Sequence, residues 1–191
     1  AFLKLLMGVR VIVEINSEHY GGALTAFYGK GIRIQIKKVI FKALCFFALF
    51  FADGVKVLME KTRMSLPGIF QKKRIFIFHD FVPTHYFKGG GSMSREILFV
   101  GHPFHLKGVD TLIQAFHKIQ KQHPEFLLRL AGHRLREDAE IFFEGHQFDD
   151  RIIFHKGMFY DELKEFFLKC YCVVLSSSTE GMPRVLIEAM A

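Results

Sequence analysis

From residue 97 to residue 191, short apolar runs alternate with stretches of helical periodicity, and that alternation leaves the chain few architectures to adopt. Residues 97–100, 126–131, 152–155 and 171–175 read as buried strands. Residues 109–123, 135–145, 161–169 and 183 onward read as helices. The first of these puts Leu112, Ile113, Phe116 and Ile119 on one face, and Asp161 is placed to cap the third. Strand–helix units in succession predict a doubly wound parallel sheet, because parallel neighbours need long crossover connections. Upstream the same rhythm is coarser, with strands expected at 9–15, 55–59 and 74–78 and helices at 34–51 and 60–66. Between the two halves runs Lys88-Gly-Gly-Gly-Ser-Met-Ser94, whose residues have little to bury, so it reads as a linker. The expected class is α/β, with one domain over 1–88, a linker at 89–94 and a second domain over 95–191.

Composition narrows the partners. Half of the 191 residues are hydrophobic, enough for a sizeable core, and the net charge of +7 suits anionic ligands. The basic residues are spread out with no nucleic-acid motif, so no nucleic-acid partner is expected. Cys45, Cys170 and Cys172 make no even framework and read as buried reduced thiols of a cytoplasmic protein. The ten histidines show no ligand spacing, and no metal is expected. The apolar run 39–52 contains Lys42 and is too short for a span of roughly 20 residues. With Lys30, Arg33, Lys37 and Lys38 beside it, it reads either as a domain helix with a wet basic edge or as a peripheral contact with an anionic inner membrane surface.

The last residues carry the chemistry. The strand ending at Leu175 runs into a polar loop, and Pro183 is expected in the first turn of the helix that follows. The backbone N–H groups of Gly181, Met182 and Arg184 would then converge where anions are favoured. Glu180 and Glu188 bracket this point, Glu188 lying roughly 8 Å along the axis from the helix start. Such a space suits a phosphate together with the hydroxyls of a sugar and a ribose.

EGMPRVLIEAMA at 180–191, with its Glu180-x7-Glu188 spacing, resembles the signature of the family-four retaining glycosyltransferases of GT-B fold. A second block, LFVGHPFHLKGVDTLIQAF at 98–116, is similar to the strand–loop–helix that opens their nucleotide-sugar domain. The resemblance is strong over about residues 95–191 and weak over 1–88. It implies two Rossmann-like domains, acceptor-side then donor-side. Because the family runs to about twice this length, it also implies a fragment truncated at both ends. The implied reaction moves a hexose-like sugar from a nucleotide-diphosphate donor to an acceptor hydroxyl with retention, using no cofactor or metal. The acceptor would be a glycan or a lipid-linked molecule.

The same resemblance assigns Lys107 and Glu180 to catalysis, Lys107 neutralising the departing diphosphate. Donor contacts would come from Glu188 on the ribose hydroxyls, Gly181, Met182, Pro183 and Arg184 at the helix head, Gly101 and His102 after the first strand, and Gly157, Met158 and Phe159 around the base. Gly132 marks a tight strand end near the ligand, or an ordinary turn. The family has Arg directly after the first Gly, where this chain has His102, which lacks the guanidinium fork. The family's Ile-Pro-Asn-Gly-Val-Asp segment is degraded here to Phe78-His-Asp80-Phe-Val-Pro83. Both departures keep a second reading open, a module that binds nucleotide sugars and catalyses nothing. An inverting glycosidase pair fits the carboxylate spacing but leaves the helix head and Lys107 unexplained. A dehydrogenase would need the Gly-x-Gly-x-x-Gly that 101–108 lacks. His19 falls where the family places a catalytic histidine, in poor register.

Overall fold

The computed structural model describes residues 4, 7–16, 31–87, 92–144, 148–178 and 180–191. They divide into two compact units: one holds the chain to Phe81 together with 179–182, the other holds 82–178 and 183–191. Residues 89–91 of the linker expected at 89–94 lie outside the described residues, as does His19. Val82–Phe87, expected with the first domain, gather with the second. The cause is Phe87, 3% exposed at the end of the 3-10 turn Thr84–Phe87, with its ring 5.2 Å from Tyr160 and 5.4 Å from Phe167.

The first unit is a three-stranded parallel sheet in the order β1 (Ile12–Ile15), β2 (Gly54–Val57), β3 (Arg74–Ile77), paired Val13↔Val55↔Ile75. Helix α1 (Ile32–Phe51) makes the first crossover, and the short helices α2 (Glu60–Met64) and α3 (Gly68–Gln71) the second. Alternation sends Val13, Ile15, Val55, Val57 and Ile75 to one face, where Leu49, Leu66 and Phe70 meet them. Leu49, Val55, Val57, Leu66 and Phe70 are fully buried, and each contributes about 1.5–3 kcal/mol. The last turn of α1 has no basic residue of its own; Lys73 supplies the cation, donating to the carbonyls of Phe50 at 3.0 Å and Ala52 at 2.6 Å. Helix α3 is absent from the expectation, because Pro67-Gly68 reads as a stop. Here the proline instead precedes a new first turn.

The second unit is a four-stranded parallel sheet, β6 (Ile152–His155), β5 (Leu127–Ala131), β4 (Glu96–Val100), β7 (Cys172–Val173), in that spatial order. Helices α4 (Val109–Ile119), α5 (Leu135–Phe142), α6 (Tyr160–Lys169) and α7 (Arg184–Ala189) alternate with the strands as foreseen. The main core is one-sided. Phe99, Leu128, Leu130 and Ile152 point to α4 and α5, which answer with Val109, Leu112, Ile113, Phe116, Leu135 and Ala139. The other face buries Leu98 but also carries charge. Glu96 accepts two hydrogen bonds from Arg129, at 2.8 Å and 2.6 Å, and the guanidinium stacks on Phe166 of α6 at 4.6 Å.

Three local expectations need correction. Helix α6 starts one residue earlier, at Tyr160, so Asp161 lies inside its first turn, where its charge still favours the helix start. Strand β7, expected over 171–175, is two residues long, and Cys170 before it caps α6. All three cysteines are free; Cys172 is exposed, and Cys45 and Cys170 are only half-buried.

Candidate functional site

The carboxyl ends of the second unit's strands are knitted together by glycines. Gly101 N–H donates to Ala131 O at 2.9 Å and Gly132 N–H to His155 O at 3.1 Å, which extends the sheet one rung past β4 and β5. A Cβ on Gly132 would overlap the Gly101 carbonyl oxygen, so the close turn requires glycine. After Gly101 the chain makes a compact turn, with Lys107 N–H to Pro103 O at 3.1 Å and Gly108 N–H to His105 O at 3.2 Å, anchored by the buried ring of Phe104. Gly108 enters α4 in the left-handed conformation, φ +60°, against the Ser176 carbonyl. Ser176 Oγ donates to Lys107 O at 2.8 Å. The loops after β4 and β7 thus form one surface.

On that surface the stem of Lys107 lies across Gly101, its Cγ 3.5 Å from where a Cβ would stand. His102 is exposed, with its ring centroid 6.5 Å from that of His133. Ser177 Oγ, in the same loop as Ser176, is buried with no hydrogen-bond partner among the described residues. A buried hydroxyl left unpaired costs about 1–3 kcal/mol and would favour any ligand that supplies a partner.

Glu188 is 7% exposed on α7, and a carboxylate so buried needs partners. Tyr160 donates its hydroxyl to Glu188 Oε1 at 3.3 Å, and Arg184 Nη2 stands 3.9 Å from the same oxygen. Burial, and then the Glu188 charge, push the Tyr160 phenol above its usual range, which keeps it a donor. Tyr160 was missed from the sequence; its only signal was an aromatic pair following Gly157-Met158. Pro183 is the residue before α7, with ψ 84°, and not part of its first turn. Its carbonyl accepts from Leu186 N–H at 3.0 Å.

The expected base-binding residues split. Gly157 and Met158 line a cleft of about 470 Å³ with His155, Lys156, Glu162, Glu165 and Phe166, a volume in the range of small-molecule sites. Phe159 is 81% exposed at the head of α6, where Glu162 accepts from its N–H at 3.0 Å; it does not line the cleft. Two carboxylates at the cleft make it better suited to a neutral base or hydroxyls than to phosphate. Glu180, Gly181 and Met182 pack with the first unit. Gly181 is buried against the Asn16 carbonyl and Leu58, leaving no room for a Cβ, and Glu180 is half-buried. Among the described residues no group of three His, Cys, Asp or Glu side chains is placed to hold a metal.

Electrostatics behind the cleft set a pH dependence. Arg129 Nη1 faces His155 Nε2 at 2.5 Å; a guanidinium only donates, so the imidazole is neutral with its proton on Nδ1. Burial and then Arg129 hold the His155 pKa below its usual value. Arg129 holds Glu96 low, and the Arg151 side chain and then its N–H hold Asp149 at about 2. All three folded values are depressed, so each contribution is fully present above the unfolded pKa and lost as pH falls from there through the folded one. The denaturant midpoint is therefore expected to be flat above about pH 7 and to fall first below about 6.5, where unfolded histidine protonates. A second decline below about pH 4.5 belongs to Glu96 and Asp149. Urea titrations at successive pH values check this, with His155→Gln flattening the first step. A midpoint that rises from pH 7 to 5.5 would contradict the assignment.

Comparison with known proteins agrees with the α/β fold. The sequence pattern of the Glycosyl transferases group 1 family matches residues 86–191, and the chain belongs to that family. An uncharacterized glycosyltransferase of Haemophilus influenzae is 33% identical over 103 residues, covering 51% of this chain and 28% of its own length. The chain thus spans less than a third of that relative. Among solved structures, TarM superposes with a TM-score of 0.68 at 19% identity, over 96% of this chain and 35% of its own. The pneumococcal O-GlcNAc transferase GtfA, in complex with UDP and GlcNAc, gives 0.63 at 17% identity over 95% and 35%. These likenesses establish the GT-B fold. No helix among the described residues is long and apolar enough to cross a membrane.

Proposed function

We propose that the chain forms the donor side of a glycosyltransferase that moves a sugar from a nucleotide-diphosphate donor to an acceptor hydroxyl, with retention. The observation that carries this reading is the rim of the second sheet. There, glycine-dependent turns bring backbone and the Lys107 stem together beside Ser176 and a buried Ser177 hydroxyl that has no partner among the described residues. Lys107, with His102 and Arg184, would offset charge growing on the leaving diphosphate. Glu188, steadied by Tyr160, would take the ribose hydroxyls, and the cleft at Gly157 and Met158 would take the base. Glu180, with Gly181, Met182 and Pro183, would orient the transferred sugar. No cofactor or metal enters this scheme. The acceptor is proposed to be a glycan or a lipid-linked molecule. The uridine nucleotide of the GtfA complex makes UDP-sugars the first donors to try.

The test is a thermal-shift and saturation-transfer panel of UDP-, GDP- and ADP-sugars against the intact protein, followed by NMR of any product's anomeric centre. One nucleotide sugar is expected to bind and be turned over to a product of the donor's own configuration. Glu188→Gln, which keeps the volume, is expected to weaken that donor about tenfold, or ~1.4 kcal/mol. Undiminished affinity would take Glu188 out of the site. Binding without turnover by the intact protein would favour the non-catalytic module that His102 suggests.

A further inference from the structure

Helix α1 turns its apolar surface the wrong way for a helix serving only its own domain. Leu49 is its one buried residue, and Ile34, Lys38, Phe41 and Cys45 share that inward side, half-buried. At about 100° per residue, the opposite side carries Ile36, Val39, Ile40, Phe46, Phe47 and Phe50. These six are between 45% and 66% exposed. Arg33 and Lys37 edge this stripe on one flank and Lys42 on the other, and the helix contains no acidic residue.

A contiguous apolar stripe of this kind marks an interaction surface. A further layer on the first sheet would not cover it. Parallel sheets attract cover on both faces, but the open face here is that of Ile12 and Phe76, across the sheet from α1. A stripe of Phe, Ile and Val flanked on both sides by long cationic side chains matches an anionic lipid surface. The rings can enter the acyl boundary while the ammonium groups reach back to headgroups.

We infer that α1 lies in the surface plane of an anionic bilayer through its Ile36–Phe50 stripe, with Arg33, Lys37 and Lys42 at headgroup level. This association is independent of donor binding and of sugar transfer.

The chain has no tryptophan, so Phe47→Trp gives a single reporter in the stripe, and Phe78→Trp one on the open sheet face. Each variant is mixed with vesicles of phosphatidylcholine alone, or with about 30% phosphatidylglycerol, carrying bromine on the acyl chains. Emission from the Phe47→Trp variant is expected to shift to the blue and be quenched only by the anionic vesicles, while that from Phe78→Trp is unaffected. Lys37→Gln with Lys42→Gln, both exposed positions, is expected to lower partitioning about tenfold or more, and high salt to do likewise. Equal quenching of both reporters, equal binding to neutral vesicles, or no binding at all would overturn the inference. So would a blue shift that needs no lipid and grows with protein concentration, which would assign the stripe to a second copy of the chain.

Discussion

Replacing Gly108 with Ala is expected to destabilise the second unit by about 3 kcal/mol and to lower its melting temperature by more than about 10 °C. The left-handed conformation at φ +60° costs an alanine roughly 1–2 kcal/mol by itself. The new methyl would also occupy the space of the Ser176 carbonyl oxygen, which is backbone and cannot rotate away. The loop would have to move, and the Ser176–Lys107 hydrogen bond, worth about 1 kcal/mol, would go with it. Function should suffer in parallel, because that bond joins the two loops assigned to the donor diphosphate. Gly157→Ala is the internal control. No atom of the described residues lies within 4 Å of its added methyl, so its effect should stay within about 0.5 kcal/mol. Thermal and urea denaturation of the two variants beside the parent would decide; similar small shifts for both would refute the strained-loop account.

The second large effect is expected at Arg129. Its guanidinium makes the two hydrogen bonds to Glu96, meets His155 and stacks on Phe166, with only 13% of its side chain exposed and 19% of that of Glu96. Cutting a fully buried ion pair at one end costs about 3–5 kcal/mol. Allowing for the water that still reaches this one, Arg129→Ala should cost about 2–3 kcal/mol, leaving Glu96 charged and unpaired. The paired change Arg129→Met with Glu96→Leu should recover most of the loss, since two apolar groups strand no charge. Phe166 lines the 470 Å³ cleft, so the single variant should also perturb whatever binds there. A cost under about 1 kcal/mol for Arg129→Ala would mean the pair behaves as a surface bridge.

Much of the second unit was readable in advance because its signals are local. Strand β6 was placed at 152–155 and helix α4 at its true start, since each rests on apolar spacing within a dozen residues. Less local features were not. The two-residue β7 was expected to run 171–175, but strand length depends on the neighbour available, and β7 pairs only at Ile97↔Cys172 and Leu98↔Val173. Phe159 looked like a companion to Gly157 and Met158, yet at the helix start its side chain turns to solvent. Arg129 in Leu-Leu-Arg-Leu-Ala was legible as a charge inside a strand, but its partner was not.

Amino-acid order alone determined the α/β rhythm, the glycines at strand ends and the acidic, basic and aromatic residues available for a site. Those properties arise from backbone sterics and side-chain period over a few residues. Which residues meet was decided by the sheet order β6-β5-β4-β7, which sets β7 beside β4 and so brings Ser176 to Gly108. Helix packing joined Tyr160 to Glu188, and turned the apolar side of α1 outward. Contacts between residues tens of positions apart depend on strand register and on which face is left to bury, quantities that exist only once the layers have assembled.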